Sequence, residues 1–266
     1  MRRVTITALG CAIVISASLL LAEFHPFGDA DLFASPDSHK TFMEGSSVPA
    51  AVKEVLVTKC ADCHSERVHA PVYGRFAPIS WLLERDIIRG RNALNLSQWD
   101  SYGEDRQQIL AAKIVQEARS GDMPLLQYRI IHRGTKIEVG EVATFEQWAR
   151  ASQAQGIPGT VALVAEGDPE RGKDVFDRRC LGCHSLARNR EGPNLHGVYG
   201  RTSGTATAFP YSSALSDAHF AWDESALDRW LTDPGAMVAG NNMDFHVPKP
   251  QERRDLISFL KKEAGR

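Results

Sequence analysis

Two short cysteine–histidine motifs hold the residues of this chain that are best suited to chemistry. Residues 60–64 read Cys-Ala-Asp-Cys-His and residues 180–184 read Cys-Leu-Gly-Cys-His. Two thiols three residues apart on a helical turn can each form a thioether with a haem vinyl group, and the imidazole that follows can then ligate the iron. The sequence therefore predicts two covalently attached c haems. The predicted attachment residues and proximal ligands are Cys60, Cys63 and His64 in the first motif and Cys180, Cys183 and His184 in the second.

A structural zinc site and two short disulfides are the alternative interpretations of these cysteines. A zinc ribbon places its two C-x-x-C pairs about 15–20 residues apart, whereas 117 residues separate Cys63 from Cys180. Disulfides alone give no reason for a histidine directly after both pairs. Haem attachment is therefore the favoured interpretation.

Methionines supply the candidates for the sixth iron ligand. Met123 follows His64, and Met243 follows His184, by the same 59 residues, each in an irregular segment after a helix. A thioether is a soft, neutral ligand, and His/Met ligation raises the reduction potential of the iron. We therefore predict Met123 and Met243 as the distal ligands, with gap-filling in the core as the alternative role. Weaker candidates for a distal ligand are Met237, His69 and His132.

The N-terminus has the pattern of an export segment. Arg2 and Arg3 precede an almost uncharged apolar stretch at residues 4–22, and polar residues follow. We predict a signal peptide over residues 1–22. Because the stretch is just long enough to span a thin bilayer, a retained inner-membrane anchor is the alternative. In both cases the mature chain is expected in the periplasm.

The overall charge excludes one class of partner. The net charge is -2 at pH 7, and a protein that neutralises nucleic-acid phosphates normally has a marked basic excess. We therefore expect no nucleic-acid partner. Contact with a membrane is expected only if the N-terminal segment is retained.

Helical patterns and Gly/Pro-rich breaks divide the chain into two small domains. Apolar residues recur at helical spacing before each motif and over residues 104–119, 138–152, 224–232 and 251–264, and strand-like alternation of useful length is absent. The fold class is therefore predicted as all-α, with two loop-rich domains that each wrap one haem. The predicted organisation is a tether at 23–47, a first haem-binding domain at 48–152, a linker at 153–166 and a second domain at 167–266.

A further set of residues surrounds the second motif. The set comprises Gly172, Phe176, the Gly-Pro-Asn-Leu run at 192–195, Gly200, Arg201, Trp222, Pro234 and Met243. In these residues the second domain resembles a class I cytochrome c of the mitochondrial type over its whole length. The resemblance implies that the carbonyl of Pro193 accepts the ring N–H of His184. It also implies that Arg201, Tyr211 and Trp222 hydrogen-bond the haem propionates, and that Gly172 and Phe176 pack against Phe259 and Leu260.

The second domain departs from that family in its charge. Where mitochondrial-type cytochromes carry lysines around the methionine loop, this chain has Gly235, Ala236 and Asn242, and residues 167–266 contain 14 basic and 14 acidic residues. Steering by a strongly acidic partner is therefore not expected. Trp230 stands where the family has a tyrosine near the methionine sulfur, so the family's potential is not carried over.

The first domain is similar to a bacterial haem-binding domain over about residues 48–150. The matching segments are residues 60–65, 77–81, 90–91, 95–99 and 121–125. The resemblance implies a c-type haem and points to Met123 as its distal ligand. Trp81 and Trp99 are expected in the core, with contact to the propionates as the alternative. Arg89 and Arg91 are candidate propionate partners, with exposed surface as the alternative.

Two haems with complete ligand sets predict an electron carrier that works between a redox-protein donor and acceptor and needs no catalytic residues. The alternative is a di-haem peroxidase-type enzyme, in which Met123 leaves the first iron and Glu117 or His132 acts as the nearby acid–base group. A haem sensor or a subunit of a larger oxidase or reductase is a third alternative.

Overall fold

Helices are the regular secondary structure of the protein in the parts that a computed structural model describes, residues 2–33, 43, 46–154 and 165–265, and irregular loops connect them. Within those parts no strand or sheet is present, and the one β-type feature is an isolated antiparallel bridge between Thr202 and Ala221. The predicted all-α class is confirmed. Two compact units form, Met1–Tyr102 with Tyr128–Lys136 and Gly103–Gln127 with Ile137–Arg266.

The α-helices are numbered in chain order. They are α1 (Arg2–Ala22), α2 (Ala50–Lys59), α3 (Ala61–His64), α4 (Ile79–Ala93), α5 (Glu104–Ser120), α6 (Leu126–Ile131), α7 (Val139–Ala154), α8 (Pro169–Val175), α9 (Ser213–Ser216), α10 (Glu224–Thr232), α11 (Pro234–Met237) and α12 (Pro250–Ala264). Two 3₁₀ turns, Val72–Arg75 and Leu96–Ser101, and a π-helical turn, Phe176–Cys180, complete the set. None of the helices in the described residues is long and apolar enough to cross a membrane.

Helix α4 of the first unit was not predicted, and the reason lies in its buried face. The residues it buries are Ser80, Glu84 and Ile87, while Ile79 and Leu82 are exposed. An amphipathic pattern is recognised by apolar residues on the buried side. Leu83, Ile87 and Ile88 of α4 do pack in one apolar cluster, but Ser80 and Glu84 on the same buried side interrupt the apolar pattern.

The segment that follows α1 is more ordered than the predicted tether. Ala30 and Leu32 are buried and pack in one cluster with Ile87 of α4. The described part of the tether, residues 23–33, is therefore fixed against α4 through apolar contacts. The rest of the predicted tether lies almost wholly outside the described residues.

The second unit is built on a close crossing of α8 and α12. A Cβ added to Gly172 would lie 1.9 Å from the carbonyl oxygen of Asp255, so only glycine permits this approach. The rings of Phe176 and Phe259 pack with centroids 5.4 Å apart. Asp168 caps α8 by accepting hydrogen bonds from the amides of Glu170 and Arg171 at 2.8 and 3.1 Å. The packing that the resemblance implied for Gly172 and Phe176 is present.

Helices α5 and α7 belong to the second unit, although the sequence places them in the first domain. Helix α5 buries residues on nearly all its sides, from Gln108 to Ala112 and again at Ile114 and Val115. A helix that is apolar on most sides needs partners on most sides. It packs against α7 and against the π-helical turn Phe176–Cys180 of the cytochrome-like part, which is the predicted second domain at 167–266. The compact units therefore divide the chain differently from the predicted boundaries at 48–152 and 167–266. Most of the predicted linker lies outside the described residues.

Candidate functional site

The second motif lies at the end of a short helical segment. Cys180 ends the π-helical turn, and its carbonyl accepts hydrogen bonds from the amides of Cys183 at 3.0 Å and of His184 at 2.8 Å. This turn brings both thiols and the imidazole to one place, and both thiols are free and partly buried. Two thiols on one turn with an adjacent imidazole are the arrangement that covalent haem attachment requires.

A cavity of about 490 Å³ opens beside this motif. Its volume is within the range of cofactor sites. The sequence-predicted residues that line it are Cys180, Cys183, His184, Pro193, Arg201, Tyr211, Trp222 and Met243. Every site residue predicted for the second domain therefore borders the same cavity.

His184 is fixed in orientation by the backbone. Its Nδ1 donates to the carbonyl of Pro193 at 2.8 Å, as the resemblance implied. A hydrogen bond at Nδ1 leaves Nε2 with its lone pair available to a metal. Burial lowers the pKa of His184, which favours the neutral form that ligates iron. Gly192 packs directly beneath the ring, because a Cβ there would lie 2.2 Å from His184 Cε1.

Met243 is held at the cavity by two neighbours. The indole Nε1 of Trp230 donates to Met243 Sδ at 3.2 Å, and the amide of Met243 donates to Asn241 Oδ1 at 2.7 Å. The Asn241 side chain is buried and donates in turn to the carbonyls of Pro234 and Val238. Asn241 was not predicted, because an asparagine in an irregular segment usually indicates only a turn.

Arg201 has a donor available for an anionic group. Its two terminal nitrogens donate to the carbonyls of Asn194 at 2.9 Å and His196 at 3.3 Å. Its Nε is buried and has no hydrogen-bond partner among the described residues. A buried donor without a partner is costly, so an acceptor such as a propionate suits this position. Tyr211, whose hydroxyl accepts from the amide of Ala206 at 3.3 Å, and buried Trp222 border the same cavity.

Helix α5 closes one side of the cavity. Ile109, Ala112, Gln116 and Glu117 line it, and a Cβ on Gly182, between the two cysteines, would lie 2.8 Å from Ile109 Cγ2. The connection of α5 to the second motif was not predicted from the sequence. Its apolar spacing indicated a helix, but not which apolar side meets which partner.

A buried arginine attaches α5 to the cytochrome-like part. The side chain of Arg179 is 3% exposed, and its guanidinium lies 2.8 Å from Asp105 and 2.9 Å from Glu252. It also donates to Gln108 Oε1 at 2.9 Å. Asp105 and Gln108 belong to α5, and Glu252 belongs to α12. Arg179, which directly precedes Cys180, therefore connects the second motif to both helices.

The first motif repeats the backbone geometry of the second. The carbonyl of Cys60 accepts from the amides of Cys63 at 3.3 Å and of His64 at 3.0 Å. His64 Nδ1 lies 3.1 Å from the carbonyl of Leu94, and burial lowers the pKa of His64. The imidazole is therefore oriented by a backbone carbonyl here too. Leu94 was not predicted in this role.

Helix α4 positions the first motif. Gly90 allows it to approach, because a Cβ there would lie 2.6 Å from the carbonyl oxygen of Cys63. Arg91 donates through Nε to the carbonyl of Ser65 at 2.9 Å, and its Nη2 is buried without a hydrogen-bond partner among the described residues. Arg91 therefore suits a propionate, whereas Arg89 is exposed. Trp99 lies in the core, and half-buried Trp81 donates to the carbonyl of Leu21.

Met123 and the weaker ligand candidates lie in different settings. Met123 belongs to the second unit, in the segment after α5, whereas His64 belongs to the first unit. The assignment of Met123 as the distal ligand stays a prediction. His69 is exposed beside Asp62, and His132 contacts the Tyr73 hydroxyl and stacks on Tyr128. In the second unit, Met237 packs at the edge of the core, while Met243 borders the cavity.

The acid–base residues of the peroxidase alternative are also placed. Glu117 lines the cavity beside the second motif, where burial raises its pKa. His132, the other candidate, has Tyr73 and Tyr128 as its neighbours in the first unit. The peroxidase alternative requires Glu117 or His132 beside the first haem. Of the two, Glu117 lines the cavity of the second motif instead.

The helical fold and the two motifs define the class of a c-type cytochrome. A family model described as a haem-binding domain matches residues 17–151, and one described as cytochrome c matches residues 169–263. The chain belongs to the haem-binding-domain family and is a two-domain c-type cytochrome, with a cytochrome c domain as its second part.

Relatives of known description match the second part. Cytochrome c of Ulva intestinalis is 40% identical over 106 residues, 38% of this chain and 96% of that protein. Cytochrome c of Chlamydomonas reinhardtii is 42% identical over 110 residues, 40% of this chain and 98% of that protein. Among solved structures, cytochrome cH from Methylobacterium extorquens is 36% identical, covering 36% of this chain and 99% of that one, with a TM-score of 0.35. Because the two cytochromes c are covered over 96% and 98% of their length, the likeness to them spans a whole cytochrome c domain, and such domains transfer electrons through haem.

Proposed function

We propose that this chain is an exported di-haem electron-transfer protein that passes single electrons between two redox proteins through His/Met-ligated c haems. The observation that carries the proposal is in the second unit. There His184 and Met243 border one cavity, and each is fixed by its own hydrogen-bond partner, Pro193 for the imidazole and Trp230 for the sulfur. A haem bound there supplies a reversible one-electron couple.

Different residues of the second site suit different parts of the haem. Cys180 and Cys183 suit the two thioether bonds, and His184 and Met243 suit the two axial positions. Arg201, with its unpartnered Nε, suits a propionate. Because these side chains are fixed by the backbone and by buried neighbours, they can keep one geometry in both oxidation states, which favours fast electron transfer.

Water is excluded from this site mainly by apolar neighbours. Trp222, Leu227 and Leu256 are buried at the cavity, and Ile109 of α5 covers the position between the cysteines. A less solvated haem favours the reduced state, since the ferric form carries more charge. Helix α5 is therefore expected to contribute to the potential of the second haem.

The first site is proposed to hold a haem through Cys60, Cys63 and His64, with Met123 as its distal ligand. The hydrogen bond from His64 to Leu94 supports the proximal half of this assignment. The 59-residue spacing that Met123 shares with Met243 supports the distal half.

Partners and location follow from the sequence. The near-neutral cytochrome c domain, with 14 basic and 14 acidic residues, suits docking through shape and apolar contact more than through long-range attraction. Export through residues 1–22 to the periplasm agrees with covalent haem attachment. Retention of that segment would bring the protein to the inner membrane.

Optical spectra of methionine variants test the ligand assignment. The oxidised wild-type protein is expected to be low-spin with the far-red sulfur-to-iron band of both haems. Met243→Ala and Met123→Ala are each expected to lose one haem's share of that band and to lower that haem's potential, because the soft, neutral thioether that stabilises ferrous iron is removed. Met237→Ala is the matched control, since Met237 packs at the core edge, and it is expected to retain the full band.

A resting wild-type protein with one high-spin haem and peroxide turnover would contradict the carrier function. An unchanged band in Met243→Ala would contradict the ligand assignment in the second unit.

A further inference from the structure

Three side chains in the first unit meet away from both cysteine motifs. They are His25 and Asp29, in the segment after α1, and Glu84 of α4. One ligand atom from each, an imidazole nitrogen or a carboxylate oxygen, lies within 4.8 Å of the other two. His25 Nδ1 is 2.5 Å from Glu84 Oε1. No haem residue takes part, so the cluster is separate from the proposed electron-transfer function.

Glu84 is the unusual member of this cluster. Its side chain is 2% exposed, and its second oxygen, Oε2, is buried without a hydrogen-bond partner among the described residues. A carboxylate that is removed from water and left with open lone pairs is costly. Burial accordingly raises the pKa of Glu84. An oxygen in this state is a ready ligand for a cation.

The charges of the cluster favour a dication. Two carboxylates and one imidazole sum to -2 when His25 is neutral, and a proton on His25 balances only one of these charges. An imidazole with two carboxylates is also a ligand set that divalent transition metals use, with water completing the coordination. We propose that His25, Asp29 and Glu84 form a binding site for a divalent transition-metal ion of the zinc type.

The geometry allows the three ligands to converge. Ligands about 2.0–2.2 Å from a zinc ion lie within about 4.4 Å of each other. The ion would replace the proton that His25 Nδ1 and Glu84 Oε1 share at 2.5 Å, so exposed His25 has to turn slightly away from Glu84. Exposed Asp29 can rotate toward the ion, while buried Glu84 stays fixed. The segment that carries them is anchored on α4 by buried Ala30 and Leu32. The amide of Asp31 donates to Asp29 Oδ1 at 2.8 Å, which orients the carboxylate and leaves Oδ2 available.

Zinc binding to the haem-loaded full chain tests the site. The protein is treated with a chelator, dialysed and titrated with Zn²⁺ by calorimetry, with bound zinc counted by elemental analysis. We expect one ion per chain and a higher thermal midpoint in its presence, since an ion that binds only the folded state stabilises it. Glu84→Gln, which keeps the shape and removes the charge, is expected to bind zinc at least about tenfold more weakly.

The control is Glu23→Gln, which removes the same charge two residues from His25 and outside the cluster. It is expected to bind zinc as the wild type does. Because Glu84 is buried and its variant can lose stability, His25→Asn and Asp29→Asn give a second measurement at exposed positions, with unchanged haem spectra showing that the fold is intact. A wild-type chain that binds no zinc overturns the proposal, and so does equal binding by the wild type, His25→Asn and Asp29→Asn.

Discussion

At the scale of single residues, each motif histidine is oriented by a backbone carbonyl. The partner is Pro193 for His184 and Leu94 for His64. The first contact was predicted because a family resemblance points to that proline. The second was not predicted, since a backbone carbonyl leaves no trace in residue type. The motif alone was enough to single out the two histidines, whereas the carbonyl groups that orient them were predictable only by resemblance.

Gly192→Ala tests the support beneath His184. The new methyl group would lie 2.2 Å from His184 Cε1 and would displace the ring from the Pro193 carbonyl. We expect lower haem loading at the second motif and a loss of folding free energy of about 1–3 kcal/mol, as for overpacked sites. Haem stain, optical spectra and denaturant unfolding measure these effects.

Gly182→Ala is the matched control on the same cavity. Its methyl group would lie 2.8 Å from Ile109 Cγ2, so that apolar side chain must shift, whereas at Gly192 the clash is with the His184 ring itself. A smaller haem loss is therefore expected for Gly182→Ala. A haem loss as large as that of Gly192→Ala would show that any added methyl group harms the site, and would contradict the specific role of Gly192.

At the scale of elements, apolar periodicity predicted the longer helices of the second unit and did not predict α4 or the short helices α6, α9 and α11. The predicted helix at 224–232 coincides with α10, and that at 104–119 ends one residue before α5 does. Helix α4 was missed because Ser80 and Glu84 occupy its buried side. The pairing of α5 with the cytochrome-like part was also missed, since it depends on a buried arginine, Arg179, whose partners are far apart in sequence.

Two glycine-to-alanine changes separate close helix packing from helix propensity. Gly172→Ala is expected to destabilise the second unit by about 1–3 kcal/mol, because its methyl group would lie 1.9 Å from the Asp255 carbonyl oxygen and α8 would have to move from α12. Gly140→Ala, on α7, has no heavy atom within 4 Å of the new Cβ. It is expected to be neutral or to stabilise by up to about 1 kcal/mol, because alanine is the better helix former.

Denaturant unfolding of the haem-loaded protein measures both changes. Equal stability of Gly172→Ala and the wild type would mean that the α8–α12 crossing tolerates a wider spacing than the structure has.

At the scale of the whole molecule, the sequence motifs and the compact units divide the chain differently. Motifs and family matches divide it between residues 151 and 169, whereas packing assigns α5 and α7 to the second unit. A family match covers a continuous stretch of sequence, whereas a compact unit forms wherever apolar helix faces pack against each other. A single helix, α5, can therefore belong to the haem-binding family match and still form a wall of the cytochrome c cavity.

The central claim is that each half of this chain holds its own covalent haem. Mass spectrometry of the purified exported protein, intact and after digestion, tests it directly by counting haem additions and assigning them to peptides. Two haem additions are expected, one on the peptide with Cys60 and Cys63 and one on the peptide with Cys180 and Cys183. A mature chain with one haem, or with none, would contradict it.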